Sequence, residues 1–375
     1  MKKILRTILF TMLLVLLSCT SVFAAQVCKI GSIGYSSLQE AVNAVQDGQT
    51  IKVTAAIDAK DRVELPQKGL HITIDFAKKK YSYTGDNYAF GISPSNTVTV
   101  KNLNATGTKL FQVGGTLTIQ SGKATCQQLA WTDGGNKATL TIQGGTFQGT
   151  EESKNSLIEN NATTKITKGT LKGDIHLHNN QNAQLEISGG LFVNCADAQL
   201  IWNGGTVNIK GGEFYHTNGI ALLRNDGKAT ISKGVFRAQT ALRAGRNSTT
   251  TLKGGTFDYI DFEEGSTLTI SGGTFMQSIT VRGKATLKGG LCRSNVVAQN
   301  GGTVTINKFT VNQTGRHLIN QDGQPIPCLG CDDGGKMTVK GGSFISPDGT
   351  GYRGKVSFKV SGDYKKLFQV KTLVG

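Results

Sequence analysis

A parallel β-helix of about 13 coils is the fold this sequence predicts, on three observations: a unit of about 22 residues that repeats along the chain, a two-residue apolar period inside each unit, and a glycine pair at a fixed place in it. The fullest copies are Leu140-Thr-Ile-Gln-Gly-Gly-Thr-Phe147, Leu185-Glu-Ile-Ser-Gly-Gly-Leu-Phe192, Val207-Asn-Ile-Lys-Gly-Gly-Glu-Phe214 and Leu268-Thr-Ile-Ser-Gly-Gly-Thr-Phe275. The residue opening each bend falls at 144, 168, 189, 211, 233, 254, 272 and 289, in steps of 24, 21, 22, 22, 21, 18 and 17 residues. Helical solenoids need longer units, and a propeller blade needs about 40 residues.

Composition agrees. The 375 residues include 49 glycines, 5 prolines and 38% hydrophobic side chains. Collagen would need far more Pro, a disordered chain far fewer Val, Ile, Leu and Phe, and a helical bundle could not carry this much Gly at about 1 kcal/mol each.

Taken in chain order, Lys2, Lys3 and Arg6 precede an apolar run over 8–17, and Val22-Phe23-Ala24 offers a cleavage site, so residues 1–24 read as an export signal. A competing cut at Leu16-Leu17-Ser18-Cys19 would leave Cys19 as a lipid-carrying N-terminus. No later segment reaches the roughly 20 apolar residues of a membrane span, and the mature chain is expected to be secreted or held at the cell surface. Residues 25–50 form an N-terminal cap: Ser36 or Ser37 begins a helix with Gln39 or Glu40 closing a capping box, Leu38, Ala41, Val42 and Val45 share one face, and Gly48 ends it. Residues 51–345 form the coils, each with three short strands, one before and one after the central apolar triplet. Residues 346–375 close the far end, with 355–361 and 367–370 as a hairpin-like segment.

The run Gly34-Tyr-Ser-Ser-Leu-Gln-Glu-Ala-Val-Asn-Ala-Val-Gln-Asp-Gly-Gln-Thr-Ile-Lys-Val53, followed by coils of the Gly-Gly-Thr-Phe type, resembles exported bacterial pectate-lyase-like proteins over roughly residues 27–345. The resemblance implies a single-stranded right-handed parallel β-helix and leaves activity open, since such rods serve as lyases, polygalacturonases, tailspikes, adhesins and non-enzymatic surface proteins.

Most chemically attractive residues have a place in the repeat that explains them. Asp332-Asp333 could be the acid pair of a glycosidase, but aligns with bend residues. The Asn-Thr-Asp and Gly-His-Gly elements of polygalacturonase-like enzymes are missing. A pectate-lyase-like site would hold Ca²⁺ on acids such as Asp258, Asp261, Glu263 and Glu264, with a basic residue removing a proton; Arg237, Arg243 and Arg246 lie close by in sequence and form the candidate ligand-binding patch. His176 and His178 would share one strand face, a weak two-ligand metal site. Asn203, Asn225, Asn247, Asn300 and Asn320 recur near one bend, which favours an asparagine ladder over sugar contacts. Phe147, Phe192, Phe214, Phe236, Phe257, Phe275 and Phe344 are expected to stack inside the rod, with Cys292 taking a Phe place as a buried thiol. Trp131, Trp202, Tyr215, Tyr259 and Tyr352 could offer faces to sugars, though the two tryptophans sit at equivalent positions compatible with an inward direction. Cys328 and Cys331 have the spacing of a local disulfide, a redox pair or, least of all with no second such pair and no His close by, half a zinc site.

Charge is the feature that the repeat does not explain. Of 41 basic side chains three lie in the leader, leaving 38 against 25 acidic and a net of +13. Such a surface suits an anionic polysaccharide, a cell-wall polymer or a host glycan at the cell envelope, and nucleic acid is not the expected partner. A non-enzymatic binding protein is the leading expectation. The alternatives are a Ca²⁺-assisted polysaccharide lyase or glycoside hydrolase, and a structural spacer or adhesin. No catalytic residue, metal site or cofactor is expected, Ca²⁺ entering only with the lyase reading; disulfide pairing beyond 328–331 and oligomeric state are left open.

Overall fold

The computed structural model describes residues 25–150, 156–195, 199–217, 221–316, 318–347 and 351–370. Residues 1–24, with the expected export signal and Cys19, lie outside the described residues.

Those residues form a right-handed parallel β-solenoid of about 14 turns. Each full turn has three faces. In one turn Gln184–Ile187 lies on the first face, Leu191–Asn194 on the second and Ile201–Asn203 on the third. Leu185 and Ile187 point inward and stack on Thr164 and Ile166 of the turn before, and on Val207 and Ile209 of the turn after. The in-register repetition makes every inward position a column running the length of the rod. One continuous hydrophobic core results.

The N-terminal cap holds more than the expected helix. Ser37 is the N-cap of α1 (Leu38–Ala44): its side chain accepts from Glu40 N at 3.1 Å. Glu40 Oε2 reaches back one residue further than in a standard capping box, accepting from Ser36 N at 3.1 Å and Ser36 Oγ at 2.6 Å. These bonds hold the Glu40 carboxyl below its ordinary range. Leu38, Ala41 and Val42 bury the helix against the end of the core. The helix stops at Ala44 with an extended Val45, three residues short of the expected stop at Gly48, which instead turns the chain into the first parallel strand at φ +76°. Before the helix, Cys28–Ile30 and Ile33–Tyr35 form an antiparallel hairpin, and Cys28–Ile30 runs antiparallel to Thr50–Val53. That pairing covers the edge a parallel stack would otherwise leave open.

Two further features differ from the sequence expectation. In the early turns the second and third strands merge, giving Tyr81–Ile92, Leu103–Val113 and Gly122–Thr132 as continuous strands of 12, 11 and 11 residues. Among the described residues the closing segments do not pair as a hairpin: Val356–Phe358 adds in parallel to Lys336–Val339, and Phe368–Val370 in parallel to Ser343–Ser346. The closing segment is therefore one more turn of the same winding, sealed by mutual packing of Tyr352, Phe358, Tyr364 and Phe368.

The recurring Gly-Gly-x-Phe has a packing reason visible at Gly211-Gly212. A Cβ on Gly211 would lie 2.7 Å from the Ser188 carbonyl oxygen of the previous turn. Gly212 has φ +112°, and a Cβ there would lie 3.1 Å from the ring of Phe214. The pair makes the corner tight enough for the phenylalanine to fold under it. Phe192, Phe214, Phe236 and Phe257 then stack face to face, with centroids 4.6, 4.7 and 4.8 Å apart and interplanar angles of 4–9°. Leu171 takes the phenylalanine position between Phe147 and Phe192. Cys292 follows Phe275 in register, fully buried, and burial pushes its thiol up to about 12.

The asparagine ladder runs along the corner after the third face and includes the expected Asn203 and Asn225, joined by Asn160 and Asn179 in place of the other three. Asn160 donates to Asn179 Oδ1 at 2.6 Å, Asn179 to Asn203 at 2.6 Å, Asn203 to Asn225 at 2.7 Å and Asn225 to Thr250 Oγ1 at 3.0 Å. Thr132 begins it by donating to Asn160 Oδ1 at 2.9 Å. Asn247 and Asn300 are instead left-handed turn residues at φ +62° and +49°. Asn320 caps a local turn, accepting from Asp322 N and Gln324 N.

Candidate functional site

The first face presents its odd positions to solvent, and the corner that follows it is equally exposed. From Thr206–Ile209 to Val356–Phe358, eight successive strands and the corners that follow them carry Lys210, Lys228, Lys233, Lys253, Lys284, Lys288, Lys308, Lys336, Lys340 and Lys359, all exposed, and no acidic residue; Asp226, Glu263, Glu264, Asp332 and Asp333 stand in the corners that precede three of these strands. Seven of them follow the strand's last inward residue by one or two positions, so they project from one corner along the rod. The others, Lys228, Lys284 and Lys336, open their strands on the opposite edge of the same face. Between the edges lie Thr230, Thr251, Thr269, Thr286, Thr305 and Thr338, outward in lateral register. At about 4.8 Å per turn this face runs for roughly 34 Å. Only Lys210 among the ten makes an ion pair, with Glu186 at 2.8 Å in the preceding turn.

The arginines are placed differently. Arg237 bonds Asp258 at 2.7 Å, and Arg246 lies 3.7 Å from Glu264. Arg243 stands 3.6 Å from both Asp261 and Glu263. Arg282 reaches the buried Asp261 at 2.8 Å, and Arg224 reaches Asp226 at 2.9 Å. The four acids considered for Ca²⁺ are thus each matched to a guanidinium on a neighbouring turn. Asp332 is bridged by Arg353, with both carboxylate oxygens 2.8 Å from one guanidinium nitrogen, and Asp333 is a left-handed bend residue at φ +48°.

The third face carries an outward row in which Trp131, Glu159, His178, Trp202, Arg224, Arg243 and Asp261 are in lateral register. Both tryptophans point outward and are half-buried. Trp202 donates its indole N–H to Asp226 at 2.7 Å and packs edge-on against His178, with centroids 4.1 Å apart. The histidines do face the same way, with ring centroids 5.7 Å apart, but their Nδ1 atoms are engaged: His176 with Gln199 O at 2.6 Å, His178 with Glu159 at 3.2 Å. Burial depresses the His176 pKa. Burial acts to raise Glu159, but hydrogen bonds from His178 and Asn180 outweigh it and leave the carboxyl below its ordinary range. Among the described residues no three His, Cys, Asp or Glu side chains come together as a metal site.

Cys328 and Cys331 are not joined in a disulfide. Both thiols are buried, Cys331 at the end of the strand Leu329–Cys331 and Cys328 just before it. Cys328 Sγ donates to Ile345 O and Cys331 Sγ to Lys355 O, at 3.6 and 3.3 Å. Burial pushes the Cys331 thiol up to about 11, far from the thiolate that redox exchange requires.

Among the described residues no helix is long and apolar enough to cross a membrane. Comparison with known protein families, curated proteins and solved structures finds no match to this chain.

Proposed function

We propose that this protein is an exported, non-enzymatic β-helix of the pectate-lyase-like type that binds an anionic polysaccharide, such as a cell-wall polymer or a host glycan, at the cell envelope. The observation that carries this reading is the first face: ten exposed lysines over eight turns, nine of them in no ion pair among the described residues, while Arg224, Arg237, Arg243, Arg246 and Arg282 are matched to carboxylates. Unmatched lysines at a regular rise form a linear field that a flexible polyanion can follow with many weak contacts. The outward threonines between the edges supply hydroxyls for hydrogen bonds to sugar. The leader with Lys2, Lys3 and Arg6 supports export.

Binding of polygalacturonate, heparin and a phosphodiester wall polymer to the mature chain is expected at low salt, falling steeply as ionic strength rises and the Debye length shrinks to about 8 Å at 0.15 M. The quadruple variant Lys253→Gln, Lys288→Gln, Lys308→Gln, Lys340→Gln should weaken binding of long chains by about tenfold or more without loss of fold. No binding of any of the three polymers at low salt overturns the proposal. Unsaturated ends or new reducing sugar on incubation with these polymers would move the reading to a lyase or a hydrolase.

A further inference from the structure

The corner that carries the lysine edge continues toward the N-terminus, where the turn after His71–Asp75 overhangs the second face. There it frames a cavity of about 610 Å³, in the range of pockets that hold small ligands. Lys78, Lys123 and Lys172 line it with Asn104, Thr125 and Gln148, and no acidic residue takes part. The three lysines come from separate places in the winding. Lys78 sits in the overhanging turn at φ +61°, fixed by its N–H to Asn102 O at 3.1 Å and by Asn104 Nδ2 to its own carbonyl at 2.9 Å. Lys123 lies beside Asn104 in register. Lys172 lies two turns above Thr125, with Gln148 between them.

We propose that this cavity binds a sugar residue carrying a sulfate or phosphate ester. The choice of a glycan rests on the reading of the lysine edge; the choice of ester comes from the cavity itself. A sulfate or phosphate ester projects its free oxygens in different directions, and three compact ammonium groups arriving from three positions can each meet one. A carboxylate offers two oxygens in a plane, a shape better matched by the guanidinium fork, and no arginine lines this cavity. Asn104, Thr125 and Gln148 are uncharged donors and acceptors suited to ring hydroxyls. The lysine edge would then hold a chain by charge while the cavity selects one kind of residue on it.

Calorimetric titration of the mature chain with three short ligands tests this: a heparin-derived tetrasaccharide, a sugar phosphate, and an oligogalacturonate matched in charge to the tetrasaccharide. At least one ester should bind about tenfold more tightly than the oligogalacturonate, and Lys123→Gln with Lys172→Gln should remove about tenfold of that affinity. Lys365→Gln with Lys366→Gln, two exposed lysines of the C-terminal turn outside both the edge and the cavity, should leave it unchanged. Preference for the heparin fragment assigns a sulfated glycan, and preference for the sugar phosphate assigns a glycan bearing phosphate monoesters. The proposal is overturned if neither ester binds, if the oligogalacturonate binds equally well, or if Lys123→Gln with Lys172→Gln has no effect. In any of those cases binding of long polymers, lowered by substitutions on the edge, would keep the broader reading standing. Loss of long-polymer binding in the native chain would remove that reading by itself.

Discussion

Asn203→Leu is expected to lower the stability of the rod by roughly 3 kcal/mol, at about 1–3 kcal/mol for each buried polar group left without its partner. Asn203 is fully buried. Its Oδ1 accepts from Asn179, and its Nδ2 serves Asn225 Oδ1 at 2.7 Å, Lys228 O at 3.1 Å and Gly205 O at 3.2 Å. Leucine has the volume but none of these bonds, so it disturbs the turn below, the turn above and its own corner together. Asn203→Asp separates polarity from shape. Its carboxylate would face the carbonyls of Gly205 and Lys228 without water, so burial would raise its folded pKa above the unfolded value of about 3.9. With the folded pKa the higher, the folded state holds the proton more tightly, and stability falls as pH rises from the unfolded toward the folded value. Urea unfolding of native, Leu and Asp chains at pH 3.5 and 7 measures both effects. A Leu variant that unfolds with the native chain, or an Asp variant whose deficit does not grow with pH, would show that the ladder contributes nothing.

Which parts of this could be read from the sequence depends on whether a feature recurs at one position of the repeat. Gly-Gly-x-Phe does, because corner and ring need each other within four residues, and so the phenylalanine column was visible. Asn203 and Asn225 were visible by the glycines close behind them; Asn160 and Asn179 were hidden because Asn161-Ala and Asn180-Gln follow instead. The lysines of the first face recur at three positions: in place of the first corner glycine (Lys233), just before it (Lys210, Lys253) or at the strand start (Lys228, Lys284). Only stacking brings these onto one face. The arginines misled for the opposite reason. Arg237, Arg243 and Arg246 are near each other along the chain, while the carboxylates that occupy them lie about one turn further on, at Asp258, Asp261 and Glu264. Charge clustered in sequence is thus dispersed by this winding, and charge spaced by one turn is gathered by it. The hairpin over the first strand and the continuous strands of the early turns left no repeat to detect.

Phe214→Ala is expected to cost about 4 kcal/mol, toward the upper part of the range for large-to-small core changes, since stacking adds about 0.5–1.5 kcal/mol to what burial alone provides. How well a site can collapse decides the cost. Here Phe192 and Phe236 flank the gap at 4.6 and 4.7 Å, each carried on a strand whose separation from its neighbours is fixed by hydrogen bonds on the ladder. Neither ring can approach the other without breaking that register, so the cavity stays open. Phe275 provides the contrast. Its neighbour in register is Cys292, and the next ring, Phe309, lies 6.2 Å away at 40°, so its column is already irregular. Phe275→Ala should cost less, about 3 kcal/mol. Leu171, an aliphatic member of the same column, indicates that Phe214→Leu should cost less still, about 1–2 kcal/mol. Denaturant unfolding of the three variants should therefore rank Phe214→Ala below Phe275→Ala and both below Phe214→Leu. A Phe214→Ala chain as stable as Phe214→Leu would mean that the turns can close over the gap, and that the spacing of the rod is set by its side chains and not by its ladders.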